Sequence, residues 1–344
     1  SDLCLIFRNG LLRLIFGAVE PEVMEAAEAY FFLTIFSYPV TAVFNACAAI
    51  YRAAGNSRLP MIVSAACNIL NIAGNYVLMF VIKLGVSGAA LSTTASMALA
   101  AVVILIRLQK ERGTLEIGNY LKIRPDLKLI GKVLKIGIPT GIENSMFQFG
   151  KLIVQSTVAT LGTMAIASNA IVTSLEFFSS MPSMAVGIGL VTVAGQCMGA
   201  GKVDEARYYI KKLTIWSFAL LLITNWLIYA VARPVTRLAG FDEATAALTM
   251  SVMLVISIIK PFLWPLAFVP SNGMRAAGDV NFTMITAVIS MWVFRVGLTT
   301  VLCRFLHVGL IGIWCGYFLD WAVRSVVNSL RFRSGKWTRH KVLD

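Results

Sequence analysis

Seven ionisable side chains stand inside strongly apolar stretches of this sequence: Glu143, Lys151, Glu176, Lys260, Arg295, Asp320 and Arg324. At mid-bilayer such a group costs about 2.5 to 3.5 kcal/mol on insertion scales, so each needs a partner, a water-filled cavity or a function. Glu143 and Lys151 are eight residues apart, which on a helix leaves them about 80° apart, with Asn144 beside Glu143 and Gln148 about one turn on. This polar stripe gives Glu143 two readings: a proton-titrating or cation-recognising group, or a structural acid nearer the membrane surface. Asp320 and Arg324 have the i, i+4 spacing of an intrahelical ion pair that Arg295 on a neighbouring span can join. A structural triad is expected there ahead of a moving proton. Lys260 precedes Pro261 in IIKPFLWPLAFVP, whose three prolines remove backbone donors and are expected to open the helix locally. The lysine then either binds an anionic group or moves during a cycle, or it snorkels to water. Glu176 carries a similar ambiguity. Pro182 with Gly187 and Gly189 predicts a bend beyond it, and Pro39 plays the same part near the start.

Around these charges, Met146, Phe147, Phe149, Phe177, Phe178, Met181, Met184 and Trp264 are candidates for a tolerant apolar cavity lining, because methionine adapts its shape and aromatic faces attract cations. The alternative for each is ordinary lipid or helix contact. Asn68, Asn71 and Asn75 form a polar stripe suited either to interhelical hydrogen bonds or to cavity lining. No phosphate-binding glycine loop, nucleophile elbow or metal-ligand spacing occurs, so neither an enzyme nor a cofactor is expected. The six cysteines lie in or beside apolar segments without CxxC spacing and read as small core residues, and the two histidines fall near a loop and in the tail.

The elements that must position these groups are transmembrane helices. Of 344 residues, 58% are hydrophobic and 14% charged, and mean hydropathy is +0.78; a soluble domain carries about 25% charged residues. Apolar runs long enough to span the bilayer fall at about 23–51, 60–82, 86–106, 136–161, 165–198, 213–232, 244–272, 282–303 and 308–330. The fold class is therefore an all-α integral membrane protein with nine full spans; the short alternating segments of a membrane barrel are absent. The net charge of +13 follows topology. Basic residues crowd one set of loops (Arg52 and Arg58, Arg107 to Lys135, Lys202 to Lys212, Arg275, Arg331 to Lys341), whereas the other side holds Lys83, Arg233, Arg237 and Arg304. The positive-inside rule makes the first set, and the C-terminus, cytoplasmic. Nucleic-acid binding is not needed to explain the charge.

The chain repeats itself. IYRAAGNSRLP (50–60) returns as GMRAAGDVNFT (273–283) at an offset of 223, GVSGAA (85–90) returns as GLIGIW (309–314) at 224, and Pro39 answers Pro261 at 222. One six-helix unit used twice is a common transporter design. In that register the first copy, 1–108, lacks TM1, TM2 and part of TM3, whose remnant is SDLCLIFRNGLLRLIF. A fragment of a twelve-helix protein is expected. The remaining divisions are an amphipathic cytoplasmic linker at 109–132, a complete second copy at 133–332 and a basic tail at 333–344.

The paired RAAG(N/D) turns, IGIPTGIENSMFQFGKL, LGTMAIASNAI, VAGQCMGAGKVDEA and DWAVRSVVNSLRFRSGKW together resemble the multidrug and toxic compound extrusion (MATE) family across essentially the whole chain. The resemblance implies a MATE-like two-lobe bundle around a central cavity and alternating access. It implies export of cationic amphipathic drugs or metabolites in exchange for Na+ or H+, by a monomer in the plasma membrane, the bacterial inner membrane, with lipid and an organic cation as partners. Two departures accompany it. The family's aspartate in TM1 has no counterpart here, and where an acid is often found deep in TM7 the chain reads Phe147, Gln148, Phe149, the nearest acid being Glu143. A flippase of lipid-linked saccharides, whose substrates carry phosphates, and an inactive truncated membrane protein are the alternatives.

Overall fold

A computed structural model describes residues 21–111 and 126–339. The expected TM3 remnant, most of the linker and the end of the tail lie outside these residues. Every regular element among the described residues is helical. Contacts divide the chain into two units, Ser1–Arg124 and Pro125–Asp344.

The N-terminal unit contains α1 (Pro21–Ile35), α2 (Ser37–Ala53), α3 (Arg58–Val81) and α4 (Gly85–Lys110). Between the stretch Ala27–Ile35 and α2 the chain bends by 42°. Pro39, in the first turn of α2, has no N–H to offer the carbonyl four residues back, which accounts for the break. Helix α4 packs against α1, α2 and α3, and its buried face carries Gly88, Ala90, Ser92, Ser96, Ala100 and Ala101. Such small side chains let membrane helices approach closely, and a Cβ on Gly74 of α3 would meet the Ser92 hydroxyl.

In the C-terminal unit, α5 (Leu127–Ala159), α6 (Thr163–Gly199), α7 (Val203–Leu238), α8 (Glu243–Ala276), α9 (Val280–Arg304) and α10 (Leu310–Arg333) follow one another. Helix α8 is the centre, in contact with α6, α7 and α10. It stays helical through Pro261, Pro265 and Pro270, contrary to the local opening expected from them. Neighbours on three sides hold it, and α10 donates to its carbonyls: Ser325 Oγ to Leu263 O at 2.7 Å and Asn328 Nδ2 to Ala267 O at 2.7 Å. Helix α6 likewise runs unbroken through Pro182.

Among the described residues, seven helices are long and apolar enough to cross a membrane, eight if α1 and α2 form one bent span. The expected span at 136–161 falls in α5, which is 33 residues long but whose lysines, Glu143, Asn144 and Gln148 keep its hydropathy below that threshold. Asp126 caps α5, its carboxylate accepting from Lys128 N and Leu129 N, so the amphipathic stretch after Pro125 and the span are one helix. At the other end, Trp337 is fully buried with Ala206, Ile210 and Val269 and stacks on Phe332, so the basic segment after 333 begins as a docked turn.

The sequence repeat is also a repeat of backbone. Gly55 and Gly278 both take positive φ, 85° and 92°. Asn56 N donates to Tyr51 O as Asp279 N donates to Met274 O. Helices α3 and α9 both contain π turns, Val77–Val81 and Ser290–Leu298, and each is followed in the next loop by a positive-φ residue that is not glycine, Lys83 and His307.

Candidate functional site

Among the described residues, the buried and half-buried ion pairs of the C-terminal unit fall into three groups. Lys260 of α8 is completely buried. Its Nζ pairs with Glu176 Oε1 of α6 at 2.6 Å. It also donates to Glu176 O at 2.9 Å, Ser179 Oγ at 2.9 Å and Ser180 Oγ at 2.6 Å. All three donors of the ammonium are occupied, and a snorkelling lysine is ruled out. Glu176, a fifth exposed, is the part of this pair that reaches the surface.

Asp320 lies at the centre of the second group and is fully buried. Arg324 Nε donates to its Oδ1 at 2.7 Å, Arg295 pairs with its Oδ2, and Ser290 Oγ donates to Oδ1. Arg324 Nη2 also donates to Ala287 O at 2.9 Å, closing the group onto α9. The guanidinium of Arg295 stacks 4.2 Å from the Tyr317 ring and 5.1 Å from the Phe147 ring of α5. The three charges expected to meet therefore do, and the π turn of α9 carries both Ser290 and Arg295.

The third group was not foreseen. Glu143 pairs with Arg275 and not with Lys151. Arg275 belongs to the RAAGD turn, where the sequence reading made it a loop charge, and its Nε also reaches Thr283 Oγ1 at 3.3 Å. Asp279 of the same turn is gripped by Arg331 of α10, Nε to Oδ2 at 2.8 Å and Nη2 to Oδ1 at 3.2 Å. The turn thus ties α5 and α10 to the junction of α8 and α9. The available signal was the recurrence of RAAG, which marks a geometric device without saying what it holds.

Lys151 is exposed, its Nζ 5.0 Å from the centre of the Phe147 ring, and no carboxylate pairs with it among the described residues. Asn144 and Gln148 are exposed beside it along α5, Met146 and Phe147 are half-buried, and Phe178 and Met181 of α6 are exposed. Trp264 packs instead between two core clusters, tilted against Phe268 at 4.8 Å. In the N-terminal unit, Asn71 Nδ2 donates to Thr93 Oγ1 at 3.1 Å and Asn75 Nδ2 to Asn71 Oδ1 at 3.3 Å, while Asn68 is exposed. Asn71 therefore serves the α3–α4 contact.

A many-helix membrane bundle with an internal repeat and charges buried between its helices defines a class, the membrane transporters. The chain belongs to the MatE family, whose model matches residues 3–77 and 139–301. It is 28% identical over 337 residues to the probable multidrug resistance protein NorM of Thermotoga maritima, covering 96% of this chain and 71% of that protein. It is 27% identical over 296 residues to the uncharacterized transporter YisQ of Bacillus subtilis, covering 84% of this chain and 64% of that one. The chain thus spans about two thirds of these relatives' lengths. The crystal structure of MATE in complex with MaL6 superposes with a TM-score of 0.87 at 19% identity, covering 97% of this chain and 75% of that chain. The protein is a multi-pass membrane protein of a multidrug efflux family and not an enzyme.

Proposed function

We propose that this chain works as a secondary active exporter, moving amphipathic small molecules, organic cations among them, by alternating access in exchange for Na+ or H+. The observation that carries this reading is the Glu143–Arg275 pair. It joins α5 to the end of α8, it is only partly buried, and Glu143 Oε2 is enclosed without a hydrogen-bond partner. A proton or a sodium ion on Glu143 would be accommodated at that second oxygen and would loosen Arg275, freeing α5 from the α8–α9 junction. Loading of the coupling ion then biases the helix that carries Phe147 and Lys151. The Asp320 group, deep and held by two arginines, is the fixed frame against which α5 moves. In this reading the RAAG turns and the C-terminus face the cytoplasm, as the distribution of basic residues supports.

The test is ethidium efflux from cells expressing the chain, under separate sodium and proton gradients, with Glu143→Gln alongside. Export under one gradient, lost in Glu143→Gln at equal membrane expression, is expected. No export under either gradient with good expression would sink the proposal.

A further inference from the structure

The charges inside the apolar runs of the C-terminal unit do not balance. Glu143 with Arg275, and Asp279 with Arg331, are neutral pairs. Of the charges inside the apolar runs, the other two carboxylates, Glu176 and Asp320, stand with four cations: Lys260, Arg295, Arg324 and Lys151. Lys260 is neutralised by Glu176, and Asp320 is shared by two arginines. Two positive charges are left over, and they are neighbours: Lys151 Nζ and Arg295 Cζ lie 5.0 and 5.1 Å from the centre of one ring, Phe147.

Asp320 Oδ2, the acceptor beside Arg295, makes no hydrogen bond beyond its ion pair with that guanidinium, and two buried donors nearby stay unmade. Arg295 is 2% exposed, yet its Nε–H has no partner, and neither does the indole N–H of Trp314, whose ring lies 4.8 Å from that of Tyr317. Lysine, arginine and the indole nitrogen can only donate hydrogen bonds. An unmade hydrogen bond at a buried donor is costly, and two cations beside one ring repel. Both costs are lowered by one kind of ligand, an oxyanion. An intramembrane lysine almost always faces the bundle interior or a water-filled cavity. Lys151 stands about 15 Å in from the end of its expected span at 161, near mid-bilayer, so lipid headgroups are too far away to supply that anion.

We infer that Lys151, with Arg295 behind Phe147 and Tyr317, forms a site for an oxyanion, a carboxylate, phosphate or sulfonate, carried on an aromatic or other apolar body. Lys151 makes the contact from the open side, Arg295 supplies the field, and the rings receive the apolar part. The site's role as a substrate site rests on the export reading; its preference for negative charge does not.

The test uses the full chain in nanodiscs and a pair of probes matched in shape and opposite in charge, 2-naphthoate and (2-naphthyl)methylammonium, with binding measured by calorimetry. The wild type is expected to bind the carboxylate at least about tenfold more tightly than the ammonium. Lys151→Gln should weaken the carboxylate roughly ten- to a hundredfold, the range for a hydrogen bond to a charged group, and should not weaken the ammonium. Lys151→Arg should restore carboxylate binding. Because Lys151 is exposed and makes no ion pair, both variants are expected to elute as the wild type does on size exclusion. The inference is overturned if the ammonium binds as tightly as the carboxylate, if the carboxylate does not bind, or if Lys151→Gln leaves its affinity unchanged. Failure of the export reading looks different: the charge preference persists while neither probe is driven from vesicles by either gradient.

Discussion

Replacing Asp320 by asparagine tests the charge accounting of the C-terminal unit. The carboxylate is fully buried and holds two arginines, themselves 2% and 4% exposed. Asp320→Asn preserves shape and one acceptor but leaves both guanidinium groups without a counter-charge. Breaking a buried pair in this way costs about 3–5 kcal/mol. With about 2–4 °C per kcal/mol for a body of this size, melting should fall by roughly 6–20 °C. Removing one of the stranded cations as well, in Asp320→Asn with Arg295→Gln, returns the group to its original net charge and should recover part of the loss. The two substitutions should therefore be coupled by about 1–3 kcal/mol. The assay is thermal denaturation in detergent followed by fluorescence-detected size exclusion, with membrane yield as a second readout. The reasoning is refuted if Asp320→Asn melts as the wild type does, or if the double variant melts at the additive position.

Three further outcomes follow from the same contacts and the same melting assay. Glu176→Gln should cost less than Asp320→Asn, about 1–3 kcal/mol, because Lys260 keeps the Glu176 carbonyl and the Ser179 and Ser180 hydroxyls. Arg331→Lys should lower stability by about 1 kcal/mol, since an ammonium cannot reproduce the two-pronged grip on Asp279; an unchanged melting point would show that the grip is redundant. Gly316→Val should destabilise by about 1–3 kcal/mol, because a Cβ there would meet the Thr299 hydroxyl and lie 3.1 Å from the Arg295 carbonyl. Gly189→Ala, which opens onto free space, serves as its neutral control.

Much of the site was legible where the signal is local. Asp320 and Arg324 could be paired from their spacing because a helix brings i and i+4 together. Arg295 could be added because an unpartnered charge in an apolar span requires something to meet it. The prolines of α8 misled, because the packing that keeps the helix closed comes from α6, α7 and α10 and leaves no trace in IIKPFLWPLAFVP itself. Trp264 was ambiguous for the same reason. An aromatic residue reads alike whether it lines a cavity or sits between two core clusters.

By itself the sequence determined that the chain lives in a membrane, that the RAAG turn recurs, and that Glu143, Lys151, Glu176, Lys260, Arg295, Asp320 and Arg324 stand inside apolar runs. These properties are written in composition, run length and recurrence, and need no partner to be read. Only the tertiary structure decided who holds whom. Glu143 chose Arg275, 132 positions away, over Lys151 on its own helix, and Lys260 found Glu176 across 84 positions. Which faces of separate helices meet depends on the packing of the whole unit. That packing left Lys151 beside Arg295, paired with no carboxylate among the described residues.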